Sequence, residues 1–166
     1  MEKGPRVMNP ADRNALEFAL QIKEKAAEWK ATGGQVEITT LMLAPSEFEG
    51  ILKETLALEA DRAVILSDAA FLAGDETAAA SALGQAAAKL KADLVLCGEG
   101  AMGHRVAEEM NFPSVHSISG ISFDQGALKL LSKKQNGEEM INVAPLSLRQ
   151  SSREAIPPAL PMRLKS

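Results

Sequence analysis

Three short apolar runs that alternate with helix-like segments constrain the fold of this chain more than any other feature. The runs are residues 36–43, 63–66 and 94–97, and each has the length of a strand. The last two are continuously apolar, which is typical of parallel strands buried on both faces. Because strands that alternate with helices form parallel sheets with right-handed crossovers, the pattern predicts an α/β fold with an open, mostly parallel sheet.

The first predicted helix covers residues 10–31. Asn9 can cap it, Pro10 suits its first position, and Asp12 lies favourably in its first turn. Its apolar residues recur at helical spacing, and two glycines end the run. We therefore expect one face of this helix to pack on the sheet.

Two more helices are predicted between the apolar runs. Ser46 and Glu49 have the spacing of a capping box, and an alanine-rich helix, whose start Asp75 and Thr77 suit, is predicted over residues 76–90. Glu59-Ala-Asp and Lys91-Ala-Asp resemble each other, and both stand where a helix gives way to a strand. We interpret this likeness as a similar boundary between a helix and the following strand, and not as an internal repeat.

The pattern changes after Pro113. Two hairpin signals, Asp124-Gln-Gly126 and Asn136-Gly137, separate three short strand candidates. The candidates are residues 115–123, 127–131 and 139–143. We predict an antiparallel ribbon at about 114–144, which completes a single α/β domain over residues 1–144.

The last segment, residues 145–166, is predicted to be an extended arm. Prolines at 145, 157, 158 and 161 prevent regular structure from Pro145 onwards. Ile156, Leu160 and Met162 nevertheless make this segment apolar, and soluble proteins avoid exposing such patches. We expect these three residues to pack against another chain.

A glycine-rich loop follows the third apolar run, with Gly98, Gly100 and Gly103 just before a helix-like segment. Ligands bind beyond the carboxyl ends of parallel strands, where glycines expose the backbone and a helix start attracts anions. The loop therefore suggests a nucleotide site, with Arg105 as an anion ligand. The alternative is that the glycines end the strand for steric reasons alone.

Composition excludes several classes of function. A net charge of −4 gives no basic surface for nucleic acid, and no apolar run reaches the roughly 20 residues of a membrane span. One cysteine and two histidines do not suggest a disulfide or a metal site, and Cys97 is expected to be inert packing. We assign no catalytic residues and expect a cytoplasmic protein.

Five segments, taken in order, resemble the β subunit of electron-transfer flavoproteins, the family that includes the FixA proteins. They are Met8-Asn-Pro-Ala-Asp-Arg-Asn-Ala-Leu-Glu17, Ile51-Leu-Lys-Glu-Thr-Leu-Ala-Leu-Glu-Ala-Asp-Arg-Ala63, Gly74-Asp-Glu-Thr77, Ala92-Asp-Leu-Val-Leu-Cys-Gly98 and the tail from Arg153 to Lys165. The resemblance implies a Rossmann-like, adenine-nucleotide-binding fold. It also implies pairing with an α subunit, a shared FAD, in many members an AMP, and electrons received from dehydrogenases. The protein would then be an electron carrier and not an enzyme with its own catalytic residues.

The resemblance also transfers candidate ligand positions to this sequence. The cofactor-binding candidates are Asn9, Leu43, Ala44, Gly98, Glu99, Gly100, Ala101, Met102, Gly103, His104 and Arg105. The partner-binding candidates are Ile156, Leu160 and Met162.

Two departures from the family pattern leave an alternative open. The family's opening strand, which ends in a Val-Pro-Asp-like loop, has no counterpart here, and the interval from Gly98 to Pro113 is shorter than in the family. The alternative function is a stand-alone adenine-nucleotide-binding protein, or a degenerate paralogue of the β subunit without bound nucleotide.

Overall fold

The computed structural model describes residues 7–28, 35–72, 74–98, 100–124, 127–143 and 163–165. Its helices are α1 (Pro10–Glu28), α2 (Glu49–Ala57), α3 (Ala69–Leu72), α4 (Glu76–Lys89) and α5 (Met102–Glu109). Its strands are β1 (Gln35–Glu37), β2 (Thr39–Leu43), β3 (Arg62–Leu66), β4 (Ile118–Asp124), β5 (Ala127–Lys134), β6 (Gly137–Val143) and β7 (Arg163–Lys165).

The strands form a mixed α/β arrangement in which α2 connects two parallel strands. β2 and β3 are parallel, with Thr39 opposite Arg62 and Leu43 opposite Leu66. β4, β5 and β6 form an antiparallel meander, and β1 pairs with β7. The predicted parallel pairing and the predicted ribbon are therefore confirmed.

The single strand predicted over residues 36–43 is wrong, because Ile38 divides it into β1 and β2. The Ile38 carbonyl accepts hydrogen bonds from the Asp61 and Arg62 amides at 2.9 and 3.0 Å, and its amide donates to Asp61 Oδ2 at 2.7 Å. Asp61 also accepts from Lys23 Nζ of α1 at 2.7 Å. One carboxylate thus joins α1 to the break between the strands.

Asp61 should make folding stability sensitive to acid. Partial burial acts to raise its pKa, but the Ile38 amide and the Lys23 ammonium outweigh it and hold the pKa below its ordinary value. A folded-state pKa below the unfolded one gives stability above about pH 4 that is lost as pH falls through the folded pKa. We expect Asp61→Asn to lower the free energy of unfolding by about 1 kcal/mol near pH 7.

Urea unfolding between pH 3 and pH 7 measures this effect. The difference between Asp61→Asn and the wild type should shrink towards the acid end, whereas Glu24→Gln, an exposed change on α1, should follow the wild type throughout. A difference that is independent of pH would mean that the Asp61 charge is not involved.

The burial predicted for residues 94–97 is largely confirmed, but the predicted strand is wrong. Leu94, Val95 and Leu96 are consecutive and buried, as expected of a segment covered on both faces. The segment has a single bridge, at Leu94, and no ladder. The continuous apolar sequence therefore predicted the burial of this segment correctly. It could not predict whether another strand lies beside the segment and forms a ladder with it.

The helix starts agree with prediction at two of three places. Asn9 Oδ1 accepts from the Ala11 amide at 2.9 Å and Asp75 Oδ1 accepts from the Ala78 amide at 2.9 Å, so both act as caps. The capping box of Ser46 and Glu49 is wrong: Ser46–Phe48 form a 3₁₀ turn, and α2 begins at Glu49 without a side-chain cap. The predicted residues 29–31 of the first helix lie outside the described residues.

The likeness between Glu59-Ala-Asp and Lys91-Ala-Asp has a structural basis. Glu59 and Lys91 follow α2 and α4 with positive φ angles of 71° and 54°. The next amides, of Ala60 and Ala92, donate back to Thr55 and Ala87, which is the Schellman pattern. The interpretation as a shared helix-to-strand boundary is confirmed. Glu59 and Lys91, and not glycines, occupy the left-handed positions at the two helix ends.

In the ribbon and the tail, three details of the structure differ from the prediction. The second hairpin turns at residues 135–136, and Gly137 begins β6 with a φ of +134°. His116, expected in a strand, lies before β4, where its carbonyl accepts from Ser132 Oγ at 2.7 Å. Regular structure also returns after Pro161, because β7 pairs antiparallel with β1 of the same chain.

The core joins the helices to the ribbon. Ile22 of α1, Val95, and Leu128 and Leu130 of β5 are almost completely buried and belong to one cluster. No helix in the described ranges is both long and apolar enough to cross a membrane.

Candidate functional site

The loop that follows the buried run 94–97 lies against the start of α1. The Gly98 amide donates to Asp12 Oδ1 at 3.1 Å, although the two residues are 86 positions apart. A Cβ on Gly98 would overlap Asp12 Oδ1 and lie 2.9 Å from the Ala11 carbonyl carbon. The close approach of α1 thus explains why this position holds glycine, as the steric alternative proposed.

Five of the cofactor-binding candidates line one cavity of about 620 Å³, which we call the slot. They are Asn9, Leu43, Ala44, Gly98 and Met102. Leu43 and Ala44 stand at the carboxyl end of β2, where the Ala44 amide donates to the Leu66 carbonyl at 3.1 Å. The fold thus brings these five positions to one cavity, and their role in cofactor binding stays a prediction.

The slot is apolar and carries little charge. Among the described residues that line it, Asp12 is the only one of the charged types Asp, Glu, Lys and Arg, and it is acidic. The Asp12 carboxylate already accepts the Gly98 amide. A phosphate placed beside Gly98 would meet like charge and a backbone donor that is already used, so the slot does not fit the phosphate of AMP.

Cys97 borders the slot, and its side chain is half-buried. Burial raises the pKa of the Cys97 thiol to about 12, and the negative charge of Asp12 adds to the rise. The thiolate, which is the nucleophile, is therefore scarce near neutral pH. The expectation of inert packing agrees with this environment.

Alkylation kinetics test this environment. With iodoacetamide at pH 8, the folded chain should react at least about 100-fold more slowly than the chain in urea, because the native thiolate is so rare. A native rate close to that of the unfolded chain would contradict the buried placement of Cys97.

The other described loop candidates do not line the slot. Gly100, Gly103 and His104 line a second cavity of about 430 Å³, which we call the histidine cavity. Ala101 is the residue before α5 and is exposed. Glu99 lies outside the described residues.

Arg105 turns away from both cavities. Its guanidinium donates to Thr77 Oγ1 at 3.1 Å and lies 3.6 Å from Glu76 Oε2, so it joins α5 to the start of α4. The expectation that Arg105 binds an anion at the loop is not supported by this orientation. Its neighbours suit a structural ion pair instead.

The histidine cavity contains a polar chain that sequence reasoning missed. His104 Nδ1 lies 3.1 Å from Ser114 Oγ, and His104 Nε2 lies 3.2 Å from Glu108 Oε1. The His116 ring is 5.6 Å from the His104 ring. The sequence showed only that His104 and Glu108 are spaced to share one helix face. Ser114 and His116 reach His104 because the loop after α5 returns towards that helix.

This polar chain consists of a hydroxyl, an imidazole and a carboxylate in succession, but its side chains are exposed to solvent. The His104 and Glu108 side chains are 52% and 67% exposed, so solvent competes for each contact. We assign it no catalytic role. Among the described residues, no three His, Cys, Asp or Glu side chains are placed to hold a metal ion.

The start of α5 is the part of the site that suits an anionic group. Gly100 has a φ of +104° and open space where a Cβ would stand, and Ala101 makes no side-chain cap. The first amides of a helix point outwards and carry partial positive charge. A helix start with these features is of the kind that binds anions.

The chain spans about half the length of the curated relatives it matches. The electron transfer flavoprotein domain family matches residues 1–157. The electron transfer flavoprotein subunit beta of Thermoanaerobacterium thermosaccharolyticum is 35% identical over 146 residues, which are 84% of this chain and 53% of the relative. Subunit CarD of the caffeyl-CoA reductase-Etf complex of Acetobacterium woodii is 31% identical, with 84% and 53% covered. Protein FixA of Sinorhizobium fredii is 40% identical over 86 residues, or 52% of this chain and 27% of the relative.

Proposed function

Because the chain belongs to the electron transfer flavoprotein family, we propose that it is a β-subunit-like electron carrier. It would pair with an α subunit and help to enclose an FAD that takes electrons from a dehydrogenase and passes them to an acceptor. The observation that carries the proposal is the match over residues 1–157, together with relatives named as β subunits. Residence in the cytoplasm remains part of the proposal.

The finer fold assignment is also a proposal. We take the core to be of the Rossmann-like, adenine-nucleotide-binding type, with residues 1–144 as one domain and residues 145–166 as an arm. The parallel pair β2 and β3, connected through α2, supports it, as does the convergence of β2 and Gly98 at one cavity. The end of the arm pairs with β1, so its partner contacts would come before Arg163.

The chain's own contribution to flavin binding would lie at residues 100–104. The amides at the start of α5 would bind phosphate oxygens, and Gly100 would let the backbone approach them, because no side chain stands there. FAD, when bound, supplies the electron transfer, while the protein positions it and limits access of water. AMP in the slot is not part of the proposal, because Asp12 opposes its phosphate.

The α subunit would be held through the arm. Ile156, Leu160 and Met162 lie outside the described residues, so their role is inferred from composition alone. Two relatives carry names that describe subunits of larger complexes, a caffeyl-CoA reductase-Etf complex and an acryloyl-CoA reductase electron transfer subunit. These names support a chain that works within an assembly.

Co-expression with the gene of a matching α subunit tests the proposal. The two chains should co-purify as a yellow complex, and Gly100→Val should reduce its flavin content, because a side chain there blocks the approach of the phosphate. Gly137→Val is the matched control, because Gly137 also has a positive φ and open space at its Cβ position, so it carries the same backbone strain and should leave the flavin content unchanged. A colourless chain that does not bind the α subunit would contradict the proposal.

The alternative, a stand-alone nucleotide-binding protein, has its own test. The melting temperature of the chain alone would be measured with AMP, ADP, ATP and FAD. We expect no stabilisation by AMP, because ligands that bind the folded state raise stability and the slot lacks a phosphate site. Stabilisation by AMP alone would favour the alternative.

A further inference from the structure

The two histidines of the sequence come together at the histidine cavity. The ring centres of His104 and His116 are 5.6 Å apart, and the ring planes are inclined by 53°. Both residues line the histidine cavity, and both are exposed. His104 belongs to α5 and His116 to the segment before β4, so the fold creates the contact. We call these two residues the histidine pair.

The spacing of the histidine pair suits a shared metal ion. An imidazole nitrogen binds zinc at about 2.0–2.1 Å, so two imidazoles on one tetrahedral ion have ring centres about 5 Å apart. The observed separation of 5.6 Å differs from this by little. Because both side chains are exposed, small rotations about their side-chain bonds bring the two rings to the required separation.

Glu108 fixes the orientation in which His104 would serve as a ligand. His104 Nε2 lies 3.2 Å from Glu108 Oε1, one turn later on α5. A carboxylate accepts a hydrogen bond from an imidazole N–H, so the proton of the neutral ring belongs on Nε2 and the lone pair on Nδ1. Metal-binding histidines are commonly oriented in this way, with the second nitrogen donating to a carboxylate.

The lone pair of His104 is directed at a residue of the same cavity. His104 Nδ1 lies 3.1 Å from Ser114 Oγ, and Ser114 lines the histidine cavity together with His116. Among the described residues that line this cavity, none is an Asp, Glu, Lys or Arg. The neighbouring Arg105 donates to Thr77, so its guanidinium is turned towards α4. The described surroundings therefore offer nitrogen ligands without a cation that would repel a metal ion.

We propose that the histidine pair binds one divalent transition-metal ion, of the class that prefers imidazole: Cu²⁺, Ni²⁺ or Zn²⁺. The ligands would be His104 Nδ1 and an imidazole nitrogen of His116, and water would complete the coordination. The hydrogen bond between Nδ1 and Ser114 would be replaced by the bond to the metal. With two protein ligands the site is open, and it would join α5 to the segment before β4. This inference goes beyond the proposed electron-carrier function and does not depend on it.

Titration of the full, untagged chain with Cu²⁺ tests the proposal, because Cu²⁺ is bound most tightly among these ions. We expect one tightly bound ion per chain by calorimetry, and an electron paramagnetic resonance spectrum with couplings from two imidazoles. His116→Gln should weaken binding by at least about 10-fold and leave one imidazole in the spectrum. Glu108→Gln should weaken binding by about 10-fold, because the carboxylate orients His104.

A double variant separates the placement of the histidines from their number. It combines His116→Gln with Lys53→His, and Lys53 is exposed on α2, which does not line the histidine cavity. We expect this variant to bind Cu²⁺ as weakly as His116→Gln alone, and circular dichroism checks that each variant is folded.

Three results would overturn the proposal. The first is equally tight binding by the wild type and His116→Gln, which would assign the ion to one histidine or to another part of the chain. The second is a double variant that binds as tightly as the wild type, because the pairing would then be irrelevant. The third is a wild-type chain that does not bind Cu²⁺.

Discussion

Gly98→Ala should lower the free energy of unfolding by about 3 kcal/mol, because the new methyl group has no space. Its Cβ would lie 2.8 Å from the Asp12 amide nitrogen and 2.9 Å from the Ala11 carbonyl carbon, which are backbone atoms of the first turn of α1. Relief therefore requires the helix to shift, and that shift would also lengthen the bond between the Gly98 amide and Asp12.

Urea unfolding measures this loss, with Gly50→Ala as the matched control. Gly50 lies in α2 with nothing within 4 Å of an added Cβ. Alanine there should raise stability by about 0.5–1 kcal/mol, because glycine is a poor helix former. A Gly98→Ala variant as stable as the wild type would contradict the described contact between α1 and the loop.

Ile22→Ala should cost about 3–4 kcal/mol, the range for a buried isoleucine that leaves a cavity. Ile22 is completely buried, and its cluster joins α1 to Val95 and to Leu130 of the ribbon. The loss should therefore loosen the whole domain and not one helix.

Thermal and urea unfolding monitored by circular dichroism test this second loss. Leu56→Ala, at a position that is 44% exposed, is the control and should cost less than about 1 kcal/mol. Equal losses for the two variants would mean that α1 does not pack on the ribbon as described.

Local signals in the sequence predicted most of the helices. Asn9 and Asp75 cap α1 and α4 as expected, since an N-cap needs only contacts within three residues. The parallel pairing of β2 with β3 followed from the alternation of strands and helices. The capping box at Ser46 failed because a 3₁₀ turn takes the place of the first helical turn.

Long-range contacts explain what the sequence could not predict. The break at Ile38 depends on Asp61, 23 positions away, and the pairing of Gly98 with Asp12 depends on the docking of α1. Burial at 94–96 was predictable from hydrophobicity, whereas the missing ladder was not, because pairing depends on which strand is nearby.

Only part of the candidate site could be predicted, because the rest depends on contacts between residues that are distant in the sequence. Resemblance to a family placed Asn9, Leu43 and Gly98 together, and the fold brings them to one cavity. It did not predict the charge of Asp12 in that cavity or the contact of Arg105 with Thr77. Those features depend on side-chain directions, which spacing along the chain does not determine.

The most direct test of the electron-carrier proposal is the flavin content of the complex with an α subunit. The complex would be purified from co-expressing cells, and its visible spectrum would be recorded before and after reduction. We expect a flavin spectrum in proportion to the amount of this chain, bleached on reduction and recovered on reoxidation. A stable complex without flavin, or no complex at all, would contradict it.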